Sequence, residues 1–228
     1  KSKYPEITVA VDVDRVNGVK TLLAKNNPPE VILLDDAFQH RKLQAGFYVL
    51  LSPYQHLFVD DWVLPAGNLR EQRKGYERAQ CIVVTKCPSD LSAQERQNII
   101  SRIKPKSHQE VFFSTIAYAN PLPLTSAFDF QKGFVLVTGI ADASPLTRHL
   151  QDSKKEFQHL NFADHYRFSE ADTMEIIAKA REKGLCQVLT TEKDYQRIDV
   201  SKLIQEGIQI AYLPISMRFI GDEQDFSK

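Results

Sequence analysis

Two adjacent aspartates, Asp35 and Asp36, directly follow the apolar run Val31–Leu34. Carboxylate oxygens are ligands that Mg²⁺ accepts, and nucleotide-binding sheets place such groups at the carboxyl ends of their strands. Two like charges this close resist burial unless a cation or hydrogen-bond donors lie beside them. The structural alternative is that aspartate also suits turns and helix caps after a buried strand. The pattern alone therefore leaves a metal site and a polar turn both open.

A nucleotide-binding strand of this kind is normally accompanied by a glycine-rich loop that binds the phosphates. Neither Gly-x-x-x-x-Gly-Lys-Ser/Thr nor Gly-x-Gly-x-x-Gly occurs in the 228 residues, whose nine glycines are scattered. Either the aspartates bind no metal, or the loop precedes residue 1. The chain starts without Met, enters a strand-like segment almost at once, and stops at Asp225–Lys228, where an amphipathic helix could begin. We therefore expect a fragment of a longer protein.

Two further segments contain side chains that could act on phosphate. The stretch WVLPAGNLRE ends in Arg70, whose planar guanidinium matches phosphate oxygens, and in Glu71, which could accept a metal-bound water or a substrate hydroxyl. The dipeptide Asp164-His165 could fix an imidazole tautomer and polarise the group that accepts a phosphoryl. An exposed ion pair and an ordinary loop are the respective structural alternatives.

Weaker candidates lie beside strand ends. Gln39 follows the aspartates and could form hydrogen bonds around their site, although a structural turn explains it equally well. Lys193, in the segment TTEKD, could meet a phosphate, although helix capping by Thr191 explains that segment nearly as well. The loop after Thr138 places backbone N–H groups at a helix start, which is either a general anion site or a plain strand-to-helix turn.

Four segments, DDAFQH, LPAGNLRE, FADHY and TTEKD, occur in this order over nearly the whole chain. Together they resemble the bacterial tetraacyldisaccharide 4′-kinases, or lipid A 4′-kinases, whose motifs read DDGFQHR, LPAGPLREP, DH and TEKD. The resemblance implies a kinase that uses ATP and Mg²⁺ to phosphorylate the 4′-hydroxyl of a tetraacyl glucosamine disaccharide 1-phosphate in lipid A biosynthesis. It also implies peripheral contact with the cytoplasmic face of the bacterial inner membrane, while the fragment itself is expected to be soluble.

The resemblance also implies what each residue does and what precedes residue 1. The family's P-loop, and the Asp of a Gly-Asp-Glu stretch thought to be the catalytic base, would lie upstream, so the fragment alone is expected to be inactive. The implied catalytic residues are Asp35, Asp36, Arg70, Glu71 and His165; Gln39 and Lys193 would bind the cofactor; Asp35, Asp36 and Glu71 would bind the metal. The alternative function is a non-catalytic α/β nucleotide-binding or assembly module.

The chain departs from the family pattern at a few positions. Ala37 replaces a glycine, which is tolerable where φ is negative, and Asn68 and Gln72 replace the two prolines flanking Leu-Arg-Glu. Phe58–Asp61 lies where many members have Phe-Gly-Asn-Gly. These departures from the family pattern leave the conformation of the loop between Phe58 and Gln72 open.

Composition narrows the classes of partner. Lys and Arg balance Asp and Glu at 29 each, so no basic surface indicates nucleic acid. No apolar run approaches the roughly 20 residues of a membrane helix. Cys81, Cys87 and Cys186 lack metal-like spacing and are expected to be free, buried thiols in a reducing compartment rather than a disulfide or a metal site.

The elements that would position these residues alternate between apolar runs and helix-period segments, which predicts an α/β fold with a mostly parallel sheet of the P-loop kinase type, incomplete here. Helices are predicted at Asp14–Lys25, Ser92–Ile103 and Ser169–Lys183, with a capping box at the second and Gly184 ending the third. The predicted strands are Ile7–Val13, Val31–Leu34, Phe47–Leu51, Cys81–Thr85, Phe134–Thr138, Gln187–Thr191 and Ile210–Leu213.

A polar, Pro-interrupted stretch near residues 103–109 predicts a domain boundary. Residues 1–108 would form the later part of the kinase core, and residues 109–228 a smaller α/β domain with its linker. The extended stretches Val111–Tyr118 and Ile210–Phe219 are predicted to pair as an antiparallel two-stranded linker.

Overall fold

The computed structural model describes residues 4–182 and 184–221. The chain divides into two units, one formed by Lys1–Thr115 with Phe219–Lys228 and the other by Ile116–Arg218. Both are mixed α/β, as the sequence predicts. The predicted domain assignment, with its boundary between residues 108 and 109, stays a prediction, and the helix expected from Asp225 lies outside the described residues.

The first sheet has four strands and is parallel over three of them. Two α-helices lie in the same unit, α1 (Arg15–Leu23) and α2 (Ala93–Ile103), together with two 3₁₀ helices, Phe58–Asp60 and Arg73–Arg78. In spatial order the strands are β1 (Val49–Pro53), β2 (Cys81–Thr85), β3 (Glu110–Tyr118) and β9 (Ile215–Phe219).

Strands β3 and β9 form the predicted antiparallel pair. The N–H of Ala119 donates to the Pro214 carbonyl at 3.0 Å, and the N–H of Ile220 donates to the Phe113 carbonyl at 2.8 Å. Partner numbers rise on one strand as they fall on the other, so the strands are antiparallel. The extended stretch predicted over Ile210–Phe219 is two strands, because Pro214 lies between β8 (Gln209–Leu213) and β9.

The second unit contains a five-stranded sheet with three helices. Its elements are β4 (Leu122–Pro123), β5 (Phe134–Thr138), α3 (Ser144–Asp152), β6 (Phe157–Asn161), α4 (Glu170–Glu182), β7 (Gln187–Thr191), α5 (Val200–Gln205) and β8 (Gln209–Leu213). The strands lie in the spatial order β4-β8-β7-β5-β6, and all are parallel except the short edge strand β4.

The inner strand β5 shows that both faces of this sheet are covered, as in other parallel sheets. Every residue of β5 is buried, and its side chains alternate between two clusters. Phe134 and Leu136 pack with Leu146 of α3, whereas Val135 and Val137 pack with Ile176 of α4.

The predicted helix boundaries are set by local hydrogen bonds. Asp14 caps α1 by accepting from the Val16 N–H at 2.9 Å. Ser92 and Glu95 form the predicted capping box of α2, each side chain accepting from the other's backbone N–H. Gly184 follows α4 with a φ of +64°, the left-handed conformation in which glycine commonly ends a helix. These contacts lie within a few residues, which is why the sequence predicts them.

The predicted strands Ile7–Val13 and Val31–Leu34 are wrong for the structure of this chain. Neither segment pairs with another strand among the described residues, and Val11 and Leu33 are 96% and 91% exposed. A strand exists only where a neighbour completes its ladder of hydrogen bonds, and apolar sequence alone does not supply one. Likewise, α1 forms as predicted, yet none of its residues is buried.

All three cysteines are free, as predicted, and Cys81 and Cys87 are buried. The prediction of burial is wrong for Cys186, which is exposed in the turn between α4 and β7. Burial disfavours the thiolate and raises the pKa of both buried thiols to about 11. We expect iodoacetamide at pH 8 to modify Cys186 alone in the folded chain and all three residues in guanidinium, as read by mass spectrometry of the peptides. Modification of Cys81 or Cys87 at the Cys186 rate would contradict the buried arrangement.

Candidate active site

Asp35 and Asp36 form an exposed turn at the end of the apolar run. Asp36 has a φ of +46°, the left-handed region that Asp and Asn tolerate better than other non-glycine residues. Ala37 is outside that region, so its replacement of a glycine costs no backbone strain. The turn continues with the His40 N–H donating to the Ala37 carbonyl at 2.8 Å, and Gln39 is exposed beside it.

Arg70 meets the aspartate pair. Its Nη1 lies 3.3 Å from Oδ2 of Asp36, with the two side chains 64% and 75% exposed. An ion pair this exposed contributes at most about 1 kcal/mol and can open without large cost. The first two sequence motifs, 34 residues apart, are thus adjacent, and both charged groups remain accessible to a ligand.

Arg78 joins the same two motifs from a more buried position. Its Nη1 donates to Oε2 of Glu71 at 3.0 Å, and its Nη2 donates to Oε1 of Glu71 and to the Phe38 carbonyl, the latter at 2.6 Å. The guanidinium also lies 4.1 Å from the centroid of the Phe38 ring. Both Glu71 oxygens are therefore bound by Arg78. Sequence reasoning missed Arg78, because its contact with Phe38 joins residues 40 positions apart and no local pattern indicates it.

Asp61 organises the loop between these motifs. Its carboxylate accepts hydrogen bonds from the Trp62 N–H at 2.7 Å, the Asn68 N–H at 3.1 Å and the Asn68 side chain at 3.3 Å, and these donors lower its pKa. A proline at position 68 has no N–H to give. Asp61 and Asn68 are both departures from the family pattern, and the structure shows that they bond to each other.

The third and fourth motifs meet in the second unit. Nζ of Lys193 donates to Oδ1 of Asp164 at 3.0 Å, and this hydrogen bond is the main cause of a lowered Asp164 pKa. His165, which has a φ of +58°, lies between cations: its Nδ1 is 3.3 Å from Nη2 of Arg197, and its Nε2 is 3.4 Å from Nζ of Lys193. Guanidinium and ammonium groups only donate, so each ring nitrogen of His165 faces a hydrogen-bond donor.

Asp194, the last residue of TTEKD, is fully buried beneath this cluster. Its Oδ2 accepts from the Gly139 N–H at 2.9 Å and from the Thr191 hydroxyl at 2.7 Å, and its Oδ1 lies 3.7 Å from Nη1 of Arg197. The Gly139 N–H is thus already used, which favours a strand-to-helix turn over an anion site in the loop after β5. Sequence reasoning considered Lys193 and overlooked Asp194 and Arg197.

The aspartate pair is compatible with Mg²⁺, because Mg²⁺ does not require a site made entirely of protein ligands. Across the part of the chain that the structure describes, no three His, Cys, Asp or Glu side chains converge as a metal site. Mg²⁺ in kinases is usually bound by one or two carboxylates, with waters and substrate phosphates completing its octahedron, so two exposed carboxylates match its needs. Glu71 matches less well while Arg78 occupies both of its oxygens.

Comparison with known proteins agrees with this arrangement of motifs. Residues 1–228 match the family described as tetraacyldisaccharide-1-P 4′-kinase. The chain is 43% identical to the tetraacyldisaccharide 4′-kinase of Flavobacterium johnsoniae, a match that covers 98% of this chain and 65% of the relative. It is 38% identical to that of Bacteroides fragilis, covering 99% of this chain and 64% of the relative. The chain therefore spans a little under two thirds of the length of these curated relatives.

A solved structure extends the comparison to the fold. The crystal structure of LpxK from Aquifex aeolicus in complex with ATP superposes with a TM-score of 0.60 at 23% identity, covering 93% of this chain and 60% of that one. At this identity the likeness establishes the fold, and it confirms the predicted α/β class of the P-loop kinase type. No helix within residues 4–182 and 184–221 is long and apolar enough to cross a membrane.

Proposed function

The chain belongs to the tetraacyldisaccharide-1-P 4′-kinase family, and from this we propose that the whole protein transfers the γ-phosphoryl of ATP to a tetraacyl glucosamine disaccharide 1-phosphate. The acceptor is the 4′-hydroxyl, and the reaction belongs to lipid A biosynthesis. The observation that supports the proposal best is the contact between Asp36 and Arg70, which joins the two most specific motifs in one exposed, charged site. An anion and a cation that both face solvent suit a metal–phosphate ligand.

In this proposal Asp35 and Asp36 would hold the Mg²⁺ that accompanies ATP. The metal would supply positive charge against the negative charge that develops during transfer. Arg70 contributes its guanidinium to a phosphate oxygen after leaving Asp36, at the small cost expected for an exposed pair. Glu71 orients Arg78, and it reaches a metal only if Arg78 releases it. Gln39 contributes hydrogen bonds at the edge of the turn.

His165 in the second unit orients or polarises the group that accepts the phosphoryl, with its ring held beside the Arg197 guanidinium. Lys193, held by Asp164 and exposed, supplies positive charge beside it.

The phosphate-binding loop and the catalytic base are proposed to lie outside residues 1–228. The relatives have room for both, because the chain covers only 64–65% of their length. The 228-residue chain alone then binds ATP weakly and has no kinase activity. The whole protein works at the cytoplasmic face of the inner membrane through peripheral contact. The competing function is a non-catalytic α/β nucleotide-binding or assembly module. The contacts between motifs in the described residues favour the kinase over this module.

The decisive experiment measures transfer of labelled γ-phosphate from ATP to tetraacyldisaccharide 1-phosphate in detergent micelles. We expect a Mg²⁺-dependent labelled product from the whole protein and none from residues 1–228, with matched circular dichroism spectra showing that both are folded. A folded whole protein that forms no product would support the non-catalytic module instead. Tight Mg²⁺-dependent ATP binding to residues 1–228 by calorimetry would contradict the proposed division of the site.

A further inference from the structure

The Arg78 guanidinium is bonded on several sides at once. Its Nη1 donates to Oε2 of Glu71 at 3.0 Å and to the Gly75 carbonyl at 2.8 Å. Its Nη2 donates to the Phe38 carbonyl at 2.6 Å and to Oε1 of Glu71. The side chains of Arg78 and Glu71 are each 25% exposed, so this pair is far less open to solvent than the pair of Arg70 and Asp36. Because the donors of a guanidinium have a fixed planar geometry, these bonds together define the position of Arg78.

Gly75 leaves the space that the pair of Arg78 and Glu71 occupies. A Cβ at position 75 would lie 2.7 Å from Oε2 of Glu71 and 2.8 Å from Nη1 of Arg78, closer than real Cβ atoms approach other atoms. The 3₁₀ helix Arg73–Arg78 contains this glycine and ends at Arg78 itself. The local backbone therefore fits closely around the ion pair.

Phe38 connects Arg78 to the turn Asp35–Gln39, which we call the aspartate turn. The Phe38 ring centroid lies 4.1 Å from the guanidinium carbon of Arg78, and 5.9 Å from the centroid of the Tyr48 ring in an edge-to-face arrangement. Both geometries are favourable for an aromatic ring. Phe38 also packs against the hydrophobic cluster of the first unit. The aspartate turn is thus anchored at Phe38, whose ring and carbonyl both contact Arg78.

The carboxylates of the aspartate turn have little support of their own. Asp36 has a φ of +46°, which is unfavourable for residues other than glycine, and its contact with Arg70 leaves both side chains largely exposed. The His40 N–H donates to the Ala37 carbonyl, a bond that shapes the turn without fixing its place in the unit. The position of the two aspartates therefore depends on the anchor at Phe38.

We propose that Arg78 is a positioning residue for phosphoryl transfer, which fixes the aspartate turn through Phe38 and fixes Glu71 through its carboxylate. Arg78 itself contacts no substrate in this proposal. Small displacements of reacting or metal-binding groups are costly in rate, so a residue that fixes their position contributes to turnover. The inference rests on the proposed function, which supplies the reaction that the aspartates and Arg70 serve.

The first test compares Arg78→Met with Arg102→Met in the whole protein. Arg102 is the matched control because it also pairs with a carboxylate of the first unit, that of Asp60. We expect Arg78→Met to lower kcat about tenfold or more and to raise the Mg²⁺ concentration that gives half the maximal rate, with KM for the acylated disaccharide unchanged. Arg102→Met should change none of these quantities. Loss of folded protein lowers only the maximal rate, so an unchanged Mg²⁺ dependence in Arg78→Met overturns the inference.

Chemical rescue separates the shape of the guanidinium from its charge. In Arg78→Ala, millimolar guanidinium should restore part of the lost kcat, because the ion can enter the space between Phe38 and Glu71. Arg78→Lys should stay impaired, because an ammonium group cannot reproduce the planar set of bonds. Full activity of Arg78→Lys, or equal rescue of Arg78→Ala by ammonium, shows that charge alone is needed and overturns the positioning role.

Hydrogen exchange measures the aspartate turn without catalysis. Arg78→Met should speed exchange of the backbone amides of residues 37–43 and leave β2 unchanged, whereas Arg102→Met should affect neither. Unchanged exchange in residues 37–43, or an equal rise in β2, overturns the inference, since the first shows no anchoring and the second a general loosening. An inactive wild-type protein overturns the proposed function, whereas an active one whose Arg78→Met variant keeps wild-type kinetics overturns this inference alone.

Discussion

The substitution Asp36→Asn in the whole protein is expected to lower kcat for phosphoryl transfer by about 10²-fold or more. In the proposed site this carboxylate binds Mg²⁺, and metal-ion stabilisation of transition-state charge contributes several kcal/mol, each 1.36 kcal/mol being a factor of ten in rate. Asparagine is the appropriate replacement because Asp36 has a φ of +46° and asparagine tolerates this conformation. The fold should therefore persist, which circular dichroism checks.

The matched control for Asp36 is Asp90→Asn. Asp90 is an equally charged, exposed residue of the same unit, and it lies after β2 and outside the four motifs. Its substitution should leave kcat within a factor of two or so, as surface changes usually do. Raising the Mg²⁺ concentration should partly restore the Asp36→Asn variant if the lost carboxylate is a metal ligand. Near-wild-type turnover of that variant without added Mg²⁺ would remove Asp36 from the site.

The second large effect concerns stability. Asp194→Ala is expected to lower the free energy of unfolding of the second unit by about 3 kcal/mol or more, the range seen when one partner of a buried ion pair is removed. The change deletes the acceptor for the Gly139 N–H and the Thr191 hydroxyl, and it leaves Arg197 without its carboxylate. Amide hydrogen exchange in β5 and β7 during denaturant titration measures the effect.

Two neighbours provide the controls. Asp164→Ala removes an exposed carboxylate from the same cluster and should lower stability much less than Asp194→Ala does. Lys193→Met should change stability little and, in the whole protein, reduce activity, which separates the proposed binding role of the lysine from the structural role of Asp194. The structural assignment fails if Asp194→Ala and Asp164→Ala unfold at the same denaturant concentration.

Much of the fold could be predicted because its signals are local. The capping box of Ser92 and Glu95 and the cap at Asp14 join residues three or fewer positions apart, and the run Phe134–Thr138 is apolar enough to be buried on both faces. Ile7–Val13 is also rich in β-branched residues, yet it pairs with no strand among the described residues. Composition predicts that a segment prefers β structure, and only a neighbour makes it a strand.

The candidate site likewise has features that the sequence predicts and features that only the tertiary structure shows. The sequence by itself determined the family and the residue types available for chemistry, because four motifs in a fixed order are a one-dimensional property. Tertiary structure alone decided that Arg78 contacts Phe38, 40 positions away, that Asp194 is buried while Lys193 is exposed, and that Trp62 faces solvent. Each of these depends on which parts of the folded chain surround the side chain. The physical reason is that charge neutralisation and burial are set by distances in space, and residue spacing along the chain does not determine those distances.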